Sequence, residues 1–323
     1  MKDARNAGKS ATKPDVLLMT GVYSRAQAVM EKEFTVHRLW EAADRAAFLK
    51  PLAGRVKAIA SAGGAAVDGA LMDALPGLKI VSNFGVGYDN VDVAAASRRG
   101  VKVTNTPDVL NDCVADTAMA LTLMTLRKFP QSEAFLRSGM WPTRGAYPMT
   151  TSVGGKLMGI VGLGRIGEAI ARRAQAHGMK IAYHNRNRKN VPWPYYADAV
   201  SLAAAADVLM IITPGGAETR HLVDARVLDA LGPQGYLVNV ARGSVVDEMT
   251  LLDYLQRGKI AGAGLDVYAD EPRVPPAFFA LDNAVLLPHV ASASNETRMA
   301  MGMLQIDNLR ACFAGKALLT PVN

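Results

Sequence analysis

An α/β fold built on parallel sheets is what this sequence predicts, and three observations predict it. Short apolar runs of strand length alternate with helical patterns along the chain. Several of these runs end in glycine or a small polar loop, where a strand hands over to the next element. The runs also fall into two successive series, and a chain of 323 residues suits two ordinary domains better than one large one.

The first series is "DVLLMTG" (15–21), "FTVHRLW" (34–40), "VKAIASAGG" (56–64), "LKIVSNFGVG" (78–87) and "VKVTNTP" (101–107). A helix over 111–128 follows, whose Val114, Ala118, Met119, Leu121, Leu123, Met124 and Leu126 leave almost no polar face, so it has to be buried, in its own domain or in a dimer. The stretch "RSGMWPTRGAYPMTTSVGG" (137–155) is rich in Pro, Gly, Ser and Thr and reads as a long surface arm. Its Trp141, a lone aromatic, is expected to be a packing anchor rather than a wall of a substrate pocket. The second series is "KLMGIVGLGRIG" (156–167), "MKIAYHN" (179–185), "DVLMIITPGG" (207–216), "YLVNVARGS" (236–244), "IAGAGLDVYADEP" (260–272) and "AVLLPH" (284–289). Beyond it, Met299, Met303, Ile306 and Phe313 recur at helical spacing and predict a last helix with an apolar stripe used for packing.

Composition narrows the function. Half the residues are hydrophobic and a fifth are charged, and no apolar run approaches the roughly 20 residues that span a bilayer, so no membrane role is expected. The opening "MKDARNAGKSATKP" has no apolar core segment and reads as a loose leader, not a secretory signal. Two cysteines, Cys113 and Cys312, stand far apart without CxxC spacing, which fits free thiols in a reducing cytoplasm and gives neither a disulfide framework nor a metal site. The net charge of +7 comes from short groups such as Arg98–Arg99, Arg172–Arg173 and Arg186 to Lys189. With no aromatic RNA-binding signature and no basic helix, they are assigned to a solvated surface and nucleic acid is not an expected partner.

The first chemical motif is "GLGRIG". Gly162, Gly164 and Gly167 have GxGxxG spacing, follow a strand-like run and open a helix in which Ile166, Ile170 and Ala174 share a face. In that context the first glycine permits a tight turn, the second lets a pyrophosphate approach the backbone, and the third lets helix pack on strand with its N-terminus facing the anion. A dinucleotide is therefore the expected cofactor. An NAD site usually carries an acid about 20 residues on, to accept from the ribose hydroxyls. Here "YHNRNRK" puts Asn185 in that place, followed by Arg186, Arg188 and Lys189. Asparagine with a guanidinium can hold a 2′-phosphate that a carboxylate would repel, so NADP(H) is expected, with NAD(H) less favoured. A second glycine stretch, "FGVGYDN" (84–90), lacks the third glycine and is no dinucleotide loop, but its backbone N–H groups could receive a small carboxylate, as could "SAGG" (61–64).

Three strand ends of the second series deliver ionisable residues: Arg242 in "NVARGSVVDE", Glu271 in "YADEP" and His289 in "LLPHVAS". Ligands of open α/β sheets bind outside the carboxyl ends of the strands, which brings these three to the cofactor's side. Reduction of a 2-keto acid leaves a developing oxyanion that needs a proton and a positive neighbour. His289 can give the proton, an acid hydrogen-bonded to it favours the imidazolium, and Arg242 can pair with a substrate carboxylate. Asp266, Asp270 and Glu271 all crowd the one loop, and Glu271 is the favoured partner. His37, His177, His184 and His221 lack such a setting and are expected at the surface or in structural roles.

The order "GLGRIG", "TP" (213–214), "VNVARGSVVDE", "GAGLDVYADEP", "LLPHVASAS" resembles the D-isomer-specific 2-hydroxyacid dehydrogenases over nearly the whole chain. The segments "NTPDVLNDCVADTAMALTLMTLRK" and "YHNRNRK" are similar to the NADPH-dependent glyoxylate/hydroxypyruvate and hydroxyphenylpyruvate reductase branch. The resemblance implies two doubly wound parallel-sheet domains: a flavodoxin-like substrate domain over 1–104 and 290–323, and a Rossmann cofactor domain over 105–289 that includes a dimerisation helix and the arm. It implies a homodimer, domain closure over the cofactor, and Arg242, Glu271 and His289 as catalytic residues. A 2-keto or 2-hydroxy acid would be bound by Val86, Gly87, Arg242 and His289. Cofactor contacts would come from Gly162, Leu163, Gly164, Arg165, Ile166, Gly167, Asn185, Arg186, Thr213, Pro214, Val240, Ala241 and Asp266. The same scaffold could serve another hydride donor, such as formate or phosphite, or a dinucleotide-sensing binding protein like the corepressors that share the fold.

Overall fold

The computed structural model describes residues 13–323, so the leader expected at the start lies almost wholly outside the described residues. The chain forms two units, one of residues up to Pro107 together with Asn295–Asn323, the other Asp108–Ser294. The second crossing falls beyond the expected residue 289 because the turn after His289 is tied into the second unit by Asp266, which accepts from the N–H groups of Val290 and Ala291.

The first unit carries β1 (Asp15–Leu18), β2 (Thr35–Arg38), β3 (Ala58–Ala62), β4 (Ile80–Phe84) and β5 (Lys102–Thr104). They pair all-parallel in the order β2-β1-β3-β4-β5, the doubly wound arrangement expected of a flavodoxin-like sheet. Alternation along β1 explains the two cores: Leu17 joins Ile59, Val81 and Val103 on one face, while Val16 and Leu18 join Ala58, Ala60 and Ile80 on the other. That second face is closed by the C-terminal helix Asn295–Phe313 through Ile306 and Leu309. Its buried face differs from the expected stripe. Met301, Gly302, Gln305, Ile306, Asn308 and Leu309 are buried, whereas Met303 and Phe313 are only partly covered. A polar residue stands at the centre of the contact because Gln305 Nε2 donates to the carbonyls of Ser61 (3.0 Å) and Ser82 (2.8 Å).

The second unit carries β6 (Leu157–Val161), β7 (Lys180–His184), β8 (Tyr195–Tyr196), β9 (Val208–Ile211), β10 (Tyr236–Asn239), β11 (Gly262–Leu265) and β12 (Ala284–Leu286). The order is β12-β11-β10-β9-β6-β7-β8, again parallel throughout, and β8 is a two-residue addition that no apolar run announces. The apolar helix Asn111–Arg127 packs on the helix Arg165–Ala176 and on β10, β11 and β12. Most of its apolar side chains are thus buried inside the unit, with Leu123 and Met124 only partly covered. The arm holds a short helix, Met140–Arg144, and a further helix, Phe129–Arg137, precedes it. Trp141 is 59% exposed, and Leu136 (56%) and Met149 (97%) are exposed too, so Trp141 is not the packing anchor expected of it. Among the described residues no helix is long and apolar enough to cross a membrane.

Candidate active site

Every candidate group of the second unit lies on a loop that follows the carboxyl end of a parallel strand, or in the first turn of the helix that such a loop opens. Read along the sheet, the loops after β12, β11, β10, β9, β6 and β7 present His289, then Asp266 to Glu271, Arg242, Thr213 with Pro214, the glycine loop, and Asn185. Adjacent strands are about 4.8 Å apart, so the histidine loop and the glycine loop, four strands apart, are separated by roughly 20 Å.

At one end is the glycine loop. Gly162 has φ +103, and a Cβ there would sit 2.6 Å from the backbone nitrogen of Thr213. A Cβ on Gly167 would meet the Gly162 carbonyl at 2.6 Å, so helix and strand approach as closely as the motif predicts. Gly164, by contrast, faces open space. It is the N-cap of Arg165–Ala176, whose first N–H groups, those of Arg165 and Ile166, meet no acceptor among the described residues. Unspent helix N-terminal donors beside an exposed glycine are a fitting cradle for a pyrophosphate.

The flanking residues are placed less uniformly. Leu163 is wholly buried and its N–H is donated to Asn185 Oδ1 at 2.6 Å, so it anchors the loop instead of offering a cofactor contact. Asn185 returns a bond through Nδ2 to the Leu163 carbonyl (3.3 Å). Its amide therefore braces the glycine loop, a role the spacing alone does not reveal. Arg186 pairs with Glu218 at 3.0 Å, both side chains about 80% exposed, and Lys189 pairs with Glu168 at 2.7 Å. Arg188 is exposed and makes no ion pair among the described residues. Arg165 faces Asp108 at 3.3 Å. Thr213 is half-buried beside Gly162 and Pro214 is exposed, while Val240 and Ala241 are buried and can offer only backbone.

At the other end is the histidine. His289 Nδ1 lies 2.6 Å from Glu271 Oε2, and Glu271 Oε1 accepts from the Tyr268 N–H at 3.0 Å. Of the three crowded acids, Glu271 is thus the partner. Asp270 is held by Arg273, and Asp266 is wholly buried with its two oxygens accepting from Val290 N (2.7 Å) and Ala291 N (2.9 Å). A side chain with no exposed surface cannot touch a dinucleotide, so the cofactor contact expected of Asp266 gives way to a tether. The tether has work to do: His289 has φ +55, an uncommon conformation for a side chain of its size, and its own N–H donates to the Asp266 carbonyl at 2.8 Å.

Burial pushes the Glu271 carboxyl up, but the hydrogen bonds from His289 and the Tyr268 N–H, with the positive charges of His289 and Arg242, outweigh it and hold the group below the usual carboxylate range. Asp266 goes the other way, raised by burial against the pull of its two N–H donors. Arg242 follows β10, where Asn239 Nδ2 donates to the Arg242 carbonyl (3.0 Å) and Arg242 Nη1 donates to the Ala241 carbonyl (2.8 Å). The next residue must be glycine. A Cβ on Gly243 would lie 1.9 Å from the Tyr268 carbonyl carbon, so this contact brings the arginine loop against the loop that carries Glu271.

The first unit has its own candidate. The N–H groups of Val86 and Gly87, on the half-buried loop after β4, meet no acceptor among the described residues and are free to receive an anion. Of the remaining histidines, His37 pairs with Asp15 at 2.6 Å, ring nitrogens of His177 and His184 bond backbone carbonyls, and His221 is exposed. No cluster of metal ligands occurs among the described residues.

Comparison with known proteins gives a consistent result. The profile of the D-isomer specific 2-hydroxyacid dehydrogenase NAD binding domain matches residues 119–291. A glyoxylate/hydroxypyruvate reductase of Arabidopsis thaliana is 44% identical over 95% of this chain and 98% of its own. The hydroxyphenylpyruvate reductase of Plectranthus scutellarioides is also 44% identical, with the same coverage. Among solved structures, the NADPH-dependent glyoxylate/hydroxypyruvate reductase of Sinorhizobium meliloti, in complex with NADP and malonate, superposes with a TM-score of 0.91 at 50% identity, covering 96% of this chain and 97% of that one.

Proposed function

The chain belongs to the D-isomer specific 2-hydroxyacid dehydrogenase family of oxidoreductases, and from that premise we propose that it reduces small 2-keto acids, glyoxylate and hydroxypyruvate first, to D-2-hydroxy acids with NADPH. The observation that carries this reading is the His289–Glu271 pair standing in the same row of strand-end loops as the glycine cradle.

The cofactor would lie along that row, with the N–H groups of Arg165 and Ile166 on its pyrophosphate, Thr213 and Pro214 beside it, and the backbone of Val240 and Ala241 further along. Arg186, released from Glu218, would meet the 2′-phosphate, since an ion pair between two such exposed groups is weak and exchangeable. When bound, NADPH supplies the hydride. His289 supplies the proton: with Nδ1 committed to Glu271, the ring presents Nε2–H to the carbonyl oxygen, and the carboxylate stabilises the imidazolium until the proton leaves. Arg242 polarises that carbonyl and pairs with the carboxylate of the acid. In the first unit, the N–H groups of Val86 and Gly87 are assigned to a carboxylate.

Assembly as a homodimer in the cytoplasm belongs to the same proposal. It is supported by the exposed Phe129, Leu136, Trp141 and Met149 along one segment, more apolar surface than an isolated arm has use for. Sedimentation of the native chain against a Trp141→Ser, Met149→Ser variant tests it. The activity is tested by a panel of glyoxylate, hydroxypyruvate, pyruvate and phenylpyruvates with NADPH and with NADH. Loss of absorbance at 340 nm that depends on the keto acid and favours NADPH is the expected result, and its absence across the panel overturns the reading.

A further inference from the structure

The loop Gly85–Gly87 is held from behind by side chains that claim its other polar groups one by one. Gly85 N–H donates to Thr106 Oγ1 at 2.9 Å, and its carbonyl accepts from the Thr106 N–H at 2.9 Å. The Val86 carbonyl accepts from Asn105 Nδ2 at 2.9 Å. The Gly87 carbonyl accepts from Asn83 Nδ2, also at 2.9 Å. Among the described residues, what remains unclaimed on these three is the pair of N–H groups of Val86 and Gly87.

The two asparagines are themselves fixed. Asn83 is 1% exposed, and its Oδ1 accepts from Ser61 Oγ at 3.0 Å, which sets the amide so that Nδ2 can only point at Gly87. The carbonyl of Ser61 in turn accepts from Gln305 of the C-terminal helix. Asn105 is anchored through its backbone, whose carbonyl accepts from Thr320 Oγ1 at 2.6 Å. Gly85, at φ +151, takes a backbone conformation reserved for glycine and lets the chain turn between the two clamps. A peptide plane whose carbonyl is tied back has its N–H edge set by the same bond, and successive N–H groups aimed one way make an anion-binding concavity.

We propose that Asn83 and Asn105 are positioning residues that aim the N–H groups of Val86 and Gly87 at the carboxylate of the substrate. The inference rests on the assignment of that carboxylate to Val86 and Gly87 above. It adds two side chains that touch neither substrate nor cofactor and act through the carbonyls they hold.

The test uses Asn105→Ala, at a half-buried position, and Asn83→Asp, which keeps the shape but replaces the donor with an acceptor facing the Gly87 carbonyl. Each is measured for KM of glyoxylate, KM of NADPH and kcat, with Tm as a control, and for the affinity of malonate by calorimetry in the presence of NADP⁺. Losing one directing hydrogen bond of about 1.4 kcal/mol is worth about tenfold, so KM for glyoxylate and Kd for malonate should each rise about tenfold, with KM for NADPH within about twofold of the parent. Asn105→Gln, a longer amide that can still reach the Val86 carbonyl, should recover part of the loss. If the parent enzyme turns over glyoxylate and both asparagine variants bind glyoxylate and malonate as the parent does, the positioning role is wrong while the carboxylate assignment stands. If the parent neither reduces a keto acid nor binds malonate, the assignment itself falls and the inference with it.

Discussion

Glu271 holds His289 at 2.6 Å through one carboxylate oxygen, and the Tyr268 N–H holds the other oxygen at 3.0 Å. Both oxygens are thus occupied, which fixes the orientation of the acid against the imidazole. Glu271→Gln keeps the size of the side chain and removes the charge that favours the imidazolium. kcat/KM at neutral pH should fall by about 10²-fold. The stability effect has the sign of a depressed carboxyl. It is present above the usual glutamate range and is lost as pH falls through the lowered folded value, so parent and variant Tm should converge in acid and separate toward neutral pH. A pH series of both measurements checks this.

His289→Gln removes the proton donor and leaves the glycine cradle untouched. Reduction should fall by about 10² to 10⁴-fold, while NADPH still binds, as followed by the fluorescence of the bound nicotinamide. Equal loss of both would mean that the ring supports the structure and not the chemistry.

Gly243→Ala places a methyl group where the Tyr268 backbone already stands, 1.9 Å from its carbonyl carbon. Overpacking of this kind costs about 1 to 3 kcal/mol, and Tm should fall by roughly 3 to 10 °C. The arginine loop must also retreat from the Glu271 loop, so kcat should fall further than the Tm shift alone explains at a temperature where the variant is folded.

Arg186→Ala should raise KM for NADPH about tenfold and spare NADH. The ion pair with Glu218 yields the opposite expectation for Glu218→Gln, which removes a competitor for the guanidinium and a charge that repels phosphate, and so should lower KM for NADPH. If NADPH and NADH suffer alike in the arginine variant, the 2′-phosphate assignment is wrong.

Much of this was legible in the chain because it depended on spacing. GxGxxG places three glycines, of which Gly162 and Gly167 meet the close contacts their places require while Gly164 faces open space, and the strand runs give both sheets except β8, whose two residues carry no periodicity. What stayed hidden were choices among near neighbours and polar groups used as braces. Asp266 and Glu271 read alike until the fold buries one beneath the turn it tethers and leaves the other facing His289. Asn185 and Leu163 sit at cofactor positions by motif, yet each satisfies the other. Gln305 looks like a break in an apolar stripe, because the carbonyls that welcome it lie more than two hundred residues earlier.

The helix Asn295–Phe313 covers one face of a sheet whose strands are all complete by Thr104. During synthesis those strands leave the ribosome long before their lid exists, with Val16, Leu18 and Ile80 covered on that side only in part, by Met30 and Phe34. The whole nucleotide-binding portion can condense in the interval, since it is one continuous stretch. Chains truncated before Asn295 should accordingly yield a nucleotide-competent half joined to an unfinished, sticky one that recruits chaperones.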